Sequence, residues 1–253
     1  MVRLSKSKIL TYLDCPRKFK YRYIDKTKTS EPEEGSPLKI GIDVHELYEW
    51  YYKHPDAPHI DSEESIKRIL AENPLSSKYP LYAKNFIEFN MELFNELGAP
   101  AYLPENVELY LHDPYFDIHG YIDAVFDSPA GKIIVDYKTG REHPIGKYSL
   151  ELLMYKILYE RVAGDKVGYV GAFFPKGGNK WRMAKIVHAG ENNPKKGAFF
   201  TIEDEFIVLE TIDQVRERIK DNEFDPPDDI YKKKFMCNYC EYKDLCKKEG
   251  VNL

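Results

Sequence analysis

The sequence predicts an α/β fold in which a central mixed β-sheet is flanked by helices. Three observations carry this expectation. From about residue 105 the hydrophobic period changes from helical to alternating. Three strand-like stretches then follow in succession, "ENVELYLH", "FDIHGYIDAVFD" and "GKIIVDYK", with turn signals at Asp113-Pro114 and Ser128-Pro129-Ala130-Gly131. A helical stretch, "KYSLELLMYKILYERVAG", ends at Gly164 and leads into two more strand patterns, "KVGYVGAFFP" and "KWRMAKIVH".

Taken in order, residues 5–24 begin with a possible Ser cap and carry Ile9, Leu10, Tyr12 and Leu13 at helical spacing. Pro16 interrupts that pattern, so two short helices are expected to meet at Cys15. A polar loop over 27–37 precedes a helix, "LKIGIDVHELYEWYY", that carries His45. Two architectural helices are expected near 62–72 and 79–97, with Pro74 and Pro80 at their joints. The first three strands form an antiparallel meander. Beyond the last strand, "AGENNPKKGA" reads as a polar loop, and 203–221 as an amphipathic helix followed by the connection "FDPPDD".

With 253 residues and 43% apolar content, the chain can bury a core as one main domain. No stretch resembles a secretory leader or could span a bilayer, so a cytoplasmic protein with no membrane partner is expected. The net charge of −5 disfavours a uniformly basic nucleic-acid coat. Within the first 28 residues, however, basic side chains from Arg3 to Lys28 far outnumber Asp14 and Asp25. That run reads as a phosphate-facing surface or, more plainly, as a solvated helix face. The aromatic residues Tyr12, Phe19, Tyr21, Tyr23, Tyr48, Trp50, Tyr51 and Tyr52 read mostly as packing, with one or two available to stack on bases.

Cys237, Cys240 and Cys246 form a Cys-x2-Cys-x5-Cys array, and Cys15 stands at the opposite end of the sequence. In a reducing compartment such a set binds a metal centre rather than forming disulfides. Four thiolates suit zinc or an iron-sulfur cluster alike.

Within "IIVDYKTG", Asp136 and Lys138 project to one face of a strand and Tyr137 to the other. Alone, the pair reads as an ion pair capping a sheet edge. One hairpin earlier, "GYIDAVF" places Asp123 inside another apolar strand, where a carboxylate is costly unless paired or bound to a cation. Two aspartates on neighbouring strands can share one hard divalent ion. Lys138 can then orient a water or stabilise charge on a phosphate, and His45 can add an imidazole, a combination suited to phosphodiester hydrolysis. Separately, His45 is more often an ordinary histidine and Asp123 a turn cap.

The order His45, Asp123, Asp136-x-Lys138, followed by a helix with a polar residue four positions before Tyr155, resembles the RecB-like nucleases of the PD-(D/E)xK superfamily. Cys15 in "LTYLDCPRKFKYRY" and the C-terminal triplet resemble the iron-sulfur ligands of the CRISPR-associated exonucleases and the AddB nuclease domain. The resemblance implies a restriction-endonuclease-like core over 1–253, with 1–30 and 231–250 forming a 4Fe-4S subregion. It implies a magnesium- or manganese-dependent deoxyribonuclease acting on single strands or DNA ends, in CRISPR adaptation or in DNA repair and recombination with helicase proteins. His45, Asp123 and Asp136 are implied as metal ligands with the Tyr137 carbonyl, and Lys138 as the catalytic lysine. Glu151 and Tyr155 fall on the helical motif, Glu151 standing where the family usually has glutamine. The contrasting expectation is a non-catalytic DNA-binding scaffold that keeps the fold and a structural metal.

Overall fold

The computed structural model describes residues 2–99, 101–178, 180–227, 229 and 236–251. Residue 228 of the proline-rich connection and residues 231–235 of the expected cluster subregion lie outside the described residues. The elements are β1 (Leu4–Ser5), α1 (Lys6–Asp14), α2 (Pro16–Phe19), a π-helical turn (Lys20–Ile24), α3 (Pro37–Tyr52), α4 (Glu63–Ala71), α5 (Pro74–Lys78) and α6 (Pro80–Leu97). Then come β2 (Asn106–Asp113), β3 (Ile118–Phe126), β4 (Lys132–Tyr137), α7 (Ser149–Ala163), β5 (Val167–Phe174), β6 (Lys180–Ile186), β7 (Ala198–Phe200), α8 (Ile202–Lys220) and α9 (Lys243–Lys248). The chain divides into two compact units, one of residues 1–31, 114–119 and 207–253, the other of residues 32–113 and 120–206.

The larger unit holds the mixed sheet. β4 pairs antiparallel with β3 and parallel with β5, β5 antiparallel with β6, and β6 parallel with β7, while β2 lies beside β3. The β4–α7–β5 crossover supplies the parallel pair, as expected from a helix between two strands. Nine consecutive α7 residues, Glu151–Tyr159, are buried, which explains why that helix shows no polar face in its sequence. It stops at Gly164, whose φ of 85° is the left-handed cap an L side chain resists.

α3 starts where Ser36 accepts from the Lys39 N–H and Pro37 fills the first turn. Its inner face, Val44, Leu47, Tyr48 and Tyr51, packs with Phe86 and Phe89 of α6 against Val135, Tyr137 and Phe173 of the sheet. Tyr48 stacks on Phe86 at 4.0 Å and Phe89 on Phe173 at 4.4 Å. Of the aromatic run singled out in the sequence, Tyr48, Tyr51 and Tyr52 are therefore core here, and in the smaller unit Tyr12, Phe19 and Tyr21 are equally buried.

α3 also carries a buried carboxylate. Asp43 accepts from Lys39 Nζ (2.6 Å), Lys78 Nζ (2.8 Å) and the Tyr79 hydroxyl (2.7 Å), joining α3 to α5. Burial alone would raise this carboxyl, but the bonds from Lys39, Lys78 and Tyr79 outweigh it and hold it well below the usual range. A depressed folded value means that its stabilisation is complete above the unfolded value near 3.8 and is lost as pH falls below it. Asp43→Asn should lower stability at neutral pH by about 2 kcal/mol, because the lysines stay partly hydrated. In urea unfolding at pH 7 and pH 3 the difference from wild type should shrink at the lower pH.

In the smaller unit the basic run meets acids that are distant in sequence. Arg3 pairs with Asp117 (3.1 Å), Arg17 with Glu249 (2.8 Å) and Lys18 with Glu241 (2.9 Å), while Lys20 meets Asp25 (2.6 Å). Asp117, Glu241 and Glu249 thus offset part of the local positive charge, and the first 28 residues keep a positive surplus. β1 pairs with the first residues of β3, Leu4 with Ile118 and Ser5 with His119. No helix among the described residues is long and apolar enough to cross a membrane.

Candidate metal centre

The C-terminal end of β4 lies inside the sheet, between β3 and β5, and Asp136 is 1% exposed. The plain reading of a surface ion pair at a sheet edge is therefore corrected: the pair is real, but Asp136 is buried and Lys138 half-buried. Lys138 Nζ lies 2.6 Å from Asp136 Oδ2 and 2.7 Å from Glu151 Oε2 of α7. The ammonium also sits 5.0 Å from the centre of the Tyr148 ring. Across the sheet, Ala172 stands opposite Asp136 and gives the carboxylate room.

Asp123 approaches β4 from the neighbouring strand. Its Oδ2 accepts the Tyr137 N–H at 2.6 Å, which fixes the carboxylate. Its Oδ1 lies 3.5 Å from His45 Nδ1. His45 Nε2 lies 3.1 Å from the Tyr137 carbonyl; a carbonyl only accepts, so Nε2 carries the proton and Nδ1 faces the acids. The Tyr137 carbonyl thus holds the imidazole and keeps one further lone pair. Burial lowers the His45 pKa, yet Asp123, Glu108 and Asp136 outweigh it and raise the value to about 10. The surrounding acids favour positive charge at the ring, and a divalent ion there would supply that charge in place of a proton on Nδ1.

Glu108 of β2 is the member that the sequence concealed. Its Oε1 lies 3.7 Å from His45 Nδ1, and ligand atoms of His45, Glu108 and Asp123 all lie within 4.8 Å of one another. Glu108 has a φ of 49° within a strand, a left-handed conformation that costs a non-glycine residue about 1–3 kcal/mol and clusters at functional sites. In "ENVELYLH" it occupies an ordinary polar position between Val107 and Leu109, so alternation alone assigned it to solvent.

The structure therefore brings His45 and Asp123 together with Glu108, and places Asp136 on Lys138, which also pairs with Glu151. Tyr155 lies one turn along α7 from Glu151 and is buried. Its ring crosses Gly120, where an added Cβ would come within 3.0 Å of Tyr155 Cε1.

The fold and the order of these residues agree with what sequence comparison finds. The profile of the PD-(D/E)XK nuclease superfamily matches residues 3–247. The chain belongs to this superfamily. It is also 26% identical over 173 residues to ATP-dependent helicase/nuclease subunits of Clostridium perfringens strains SM101 and ATCC 13124, and 25% identical to that of strain 13. The match covers 65% of this chain and 12% of those relatives' length. The α/β core, with its mixed sheet and flanking helices, is that of a nuclease-superfamily member.

The four cysteines lie in the smaller unit as free thiols, three half-buried and Cys246 buried. Burial raises the pKa of Cys15, Cys240 and Cys246, and mutual repulsion adds to it: Cys237 acts on Cys15, Cys15 on Cys240, and both Cys240 and Cys15 on Cys246. Cys246 packs with Tyr21 and Tyr242. The four thiols are thus near enough to act on one another, a condition for sharing one centre.

Proposed function

We propose that this chain is a divalent-metal-dependent DNA exonuclease that processes strand ends in DNA repair or recombination. The observation that carries this reading is the convergence of His45, Glu108 and Asp123 beside a lysine held by Asp136 and Glu151. Two carboxylates and an imidazole fit a hard ion such as magnesium or manganese. When bound, such an ion supplies Lewis-acid polarisation of a phosphoryl oxygen and neutralises its charge.

The protein groups do the rest. The Tyr137 peptide orients both ligands, its N–H on Asp123 and its carbonyl on His45. Asp136 and Glu151 hold Lys138 in place, and the ammonium orients the attacking water or meets charge developing on the phosphate. Glu151 accepts but cannot donate, so its part is to hold Lys138 rather than to bind phosphate as an amide would. Tyr155 supports α7 by packing on Gly120. The curated relatives are named as helicase/nuclease subunits, which supports a helicase as partner. For the four cysteines we propose a structural 4Fe-4S cluster, which the thiol grouping and the sequence resemblance support.

The test is degradation of end-labelled and circular single-stranded and duplex DNA with magnesium, manganese or chelator. Linear strands should be degraded from an end only with the ion, and circles should persist. Cleavage in chelator, or cutting of circles as fast as linear strands, would overturn the reading.

A further inference from the structure

Two exposed tyrosines stand beside the candidate metal centre. β2 and β3 are neighbours in the sheet, and Tyr110 on one and Tyr121 on the other bring their ring centres to 5.0 Å at an interplanar angle of 51°. They are 45% and 55% exposed, whereas Tyr48, Tyr51, Phe86, Phe89 and Phe173 of the same unit are buried in its core. Tyr110 is two residues from Glu108, and Tyr121 is two residues from Asp123. In β3 such a step is about 6.6 Å and returns to the same face, which sets Tyr121 on the side of Asp123, and the ring contact brings Tyr110 with it.

We propose that Tyr110 and Tyr121 form a stacking subsite for an unpaired base of the DNA strand whose phosphate lies at His45, Glu108 and Asp123. The inference rests on the nuclease reading and adds a substrate class to it: a strand with at least one unpaired base near the scissile phosphate. Every base has a π-face, so the subsite reads no sequence. In a closed duplex the bases stack on one another, and such a substrate must fray to use the rings. Continuity with the metal centre selects this occupant, because a strand whose phosphate sits there must place its neighbouring nucleotide within reach of the pair.

The test measures binding by fluorescence anisotropy with calcium, an oxygen-seeking ion, in place of magnesium. The probes are a labelled oligothymidylate of about twelve nucleotides and a blunt hairpin duplex. The double variant Tyr110→Ala/Tyr121→Ala should bind the single strand about tenfold more weakly. It should bind the duplex and manganese as wild type does. Tyr110→Phe/Tyr121→Phe keeps both rings and should retain single-strand affinity, as should Phe206→Ala, which removes an exposed ring on α8. Photocrosslinking of a 5-iododeoxyuridine strand should label Tyr110 or Tyr121. Equal single-strand affinity in wild type and the double alanine variant, with crosslinks elsewhere, would overturn the subsite alone. Dimerisation of wild type that the double alanine variant lacks would assign the rings to a self-contact and overturn it too. A wild type that binds neither strand nor manganese would overturn the nuclease reading and the subsite with it.

Discussion

Asp123→Asn should abolish divalent-ion binding and DNA cleavage together, with cleavage falling by about a thousandfold or more. Asparagine keeps an oxygen to accept the Tyr137 N–H that Asp123 now holds at 2.6 Å, so the strands should stay in place. What is lost is the negative charge that His45 and Glu108 cannot supply alone. Lys138→Ala should behave differently. It removes the ammonium between Asp136 and Glu151 but none of the three converging ligands, so the ion should still bind. The loss should fall on the chemical step, by about a hundredfold or more. Manganese calorimetry beside single-turnover cleavage, with melting curves to check folding, separates the two variants. An Asp123→Asn protein that binds and cuts like wild type would remove Asp123 from the site.

Cys15→Ala should empty the proposed cluster and destabilise the smaller unit. Anaerobically purified wild type is expected to hold about four irons per chain, and the variant close to none. A centre held by Cys15 together with Cys237, Cys240 and Cys246 closes a loop of roughly 220 residues, so losing it should cost about 4 kcal/mol or more. Cys240→Ala should be as damaging. One zinc and no iron in wild type would replace the cluster by a zinc site, and unchanged metal content in Cys15→Ala would exclude Cys15 as a ligand.

The parts of this protein legible in its sequence are those governed by local pattern. The α7 helix and its Gly164 end, the β2–β3–β4 succession, and the junction of two helices at Cys15 all follow from periodicity and from proline or glycine. Asp123 and Asp136 were legible because a carboxylate inside an apolar strand demands a partner. What escaped depends on partners far away in the chain. Glu108 alternates like any outward residue until its left-handed φ and the approach of His45 give it a role. The acids that pair with part of the basic run, Asp117, Glu249 and Glu241, each lie more than a hundred residues from their partners Arg3, Arg17 and Lys18. β7 was hidden because only three residues, Ala198–Phe200, pair, at the end of a polar loop. The aromatic run read mostly as packing, and Tyr12, Phe19, Tyr21, Tyr48, Tyr51 and Tyr52 are indeed buried, whereas the half-exposed ring pair Tyr110–Tyr121 lies in strands read for their alternation alone.

One divalent ion, held by His45, Glu108 and Asp123, is proposed to drive hydrolysis of DNA. A single titration tests it: manganese added to metal-free protein, with bound ion and single-turnover cleavage of an end-labelled strand measured on the same samples, for wild type and Glu108→Gln. Cleavage by wild type should rise in step with occupancy of one site, and Glu108→Gln should need far more manganese for both. Cleavage that proceeds before any ion binds, or that Glu108→Gln shows at the wild-type manganese concentration, would contradict the account.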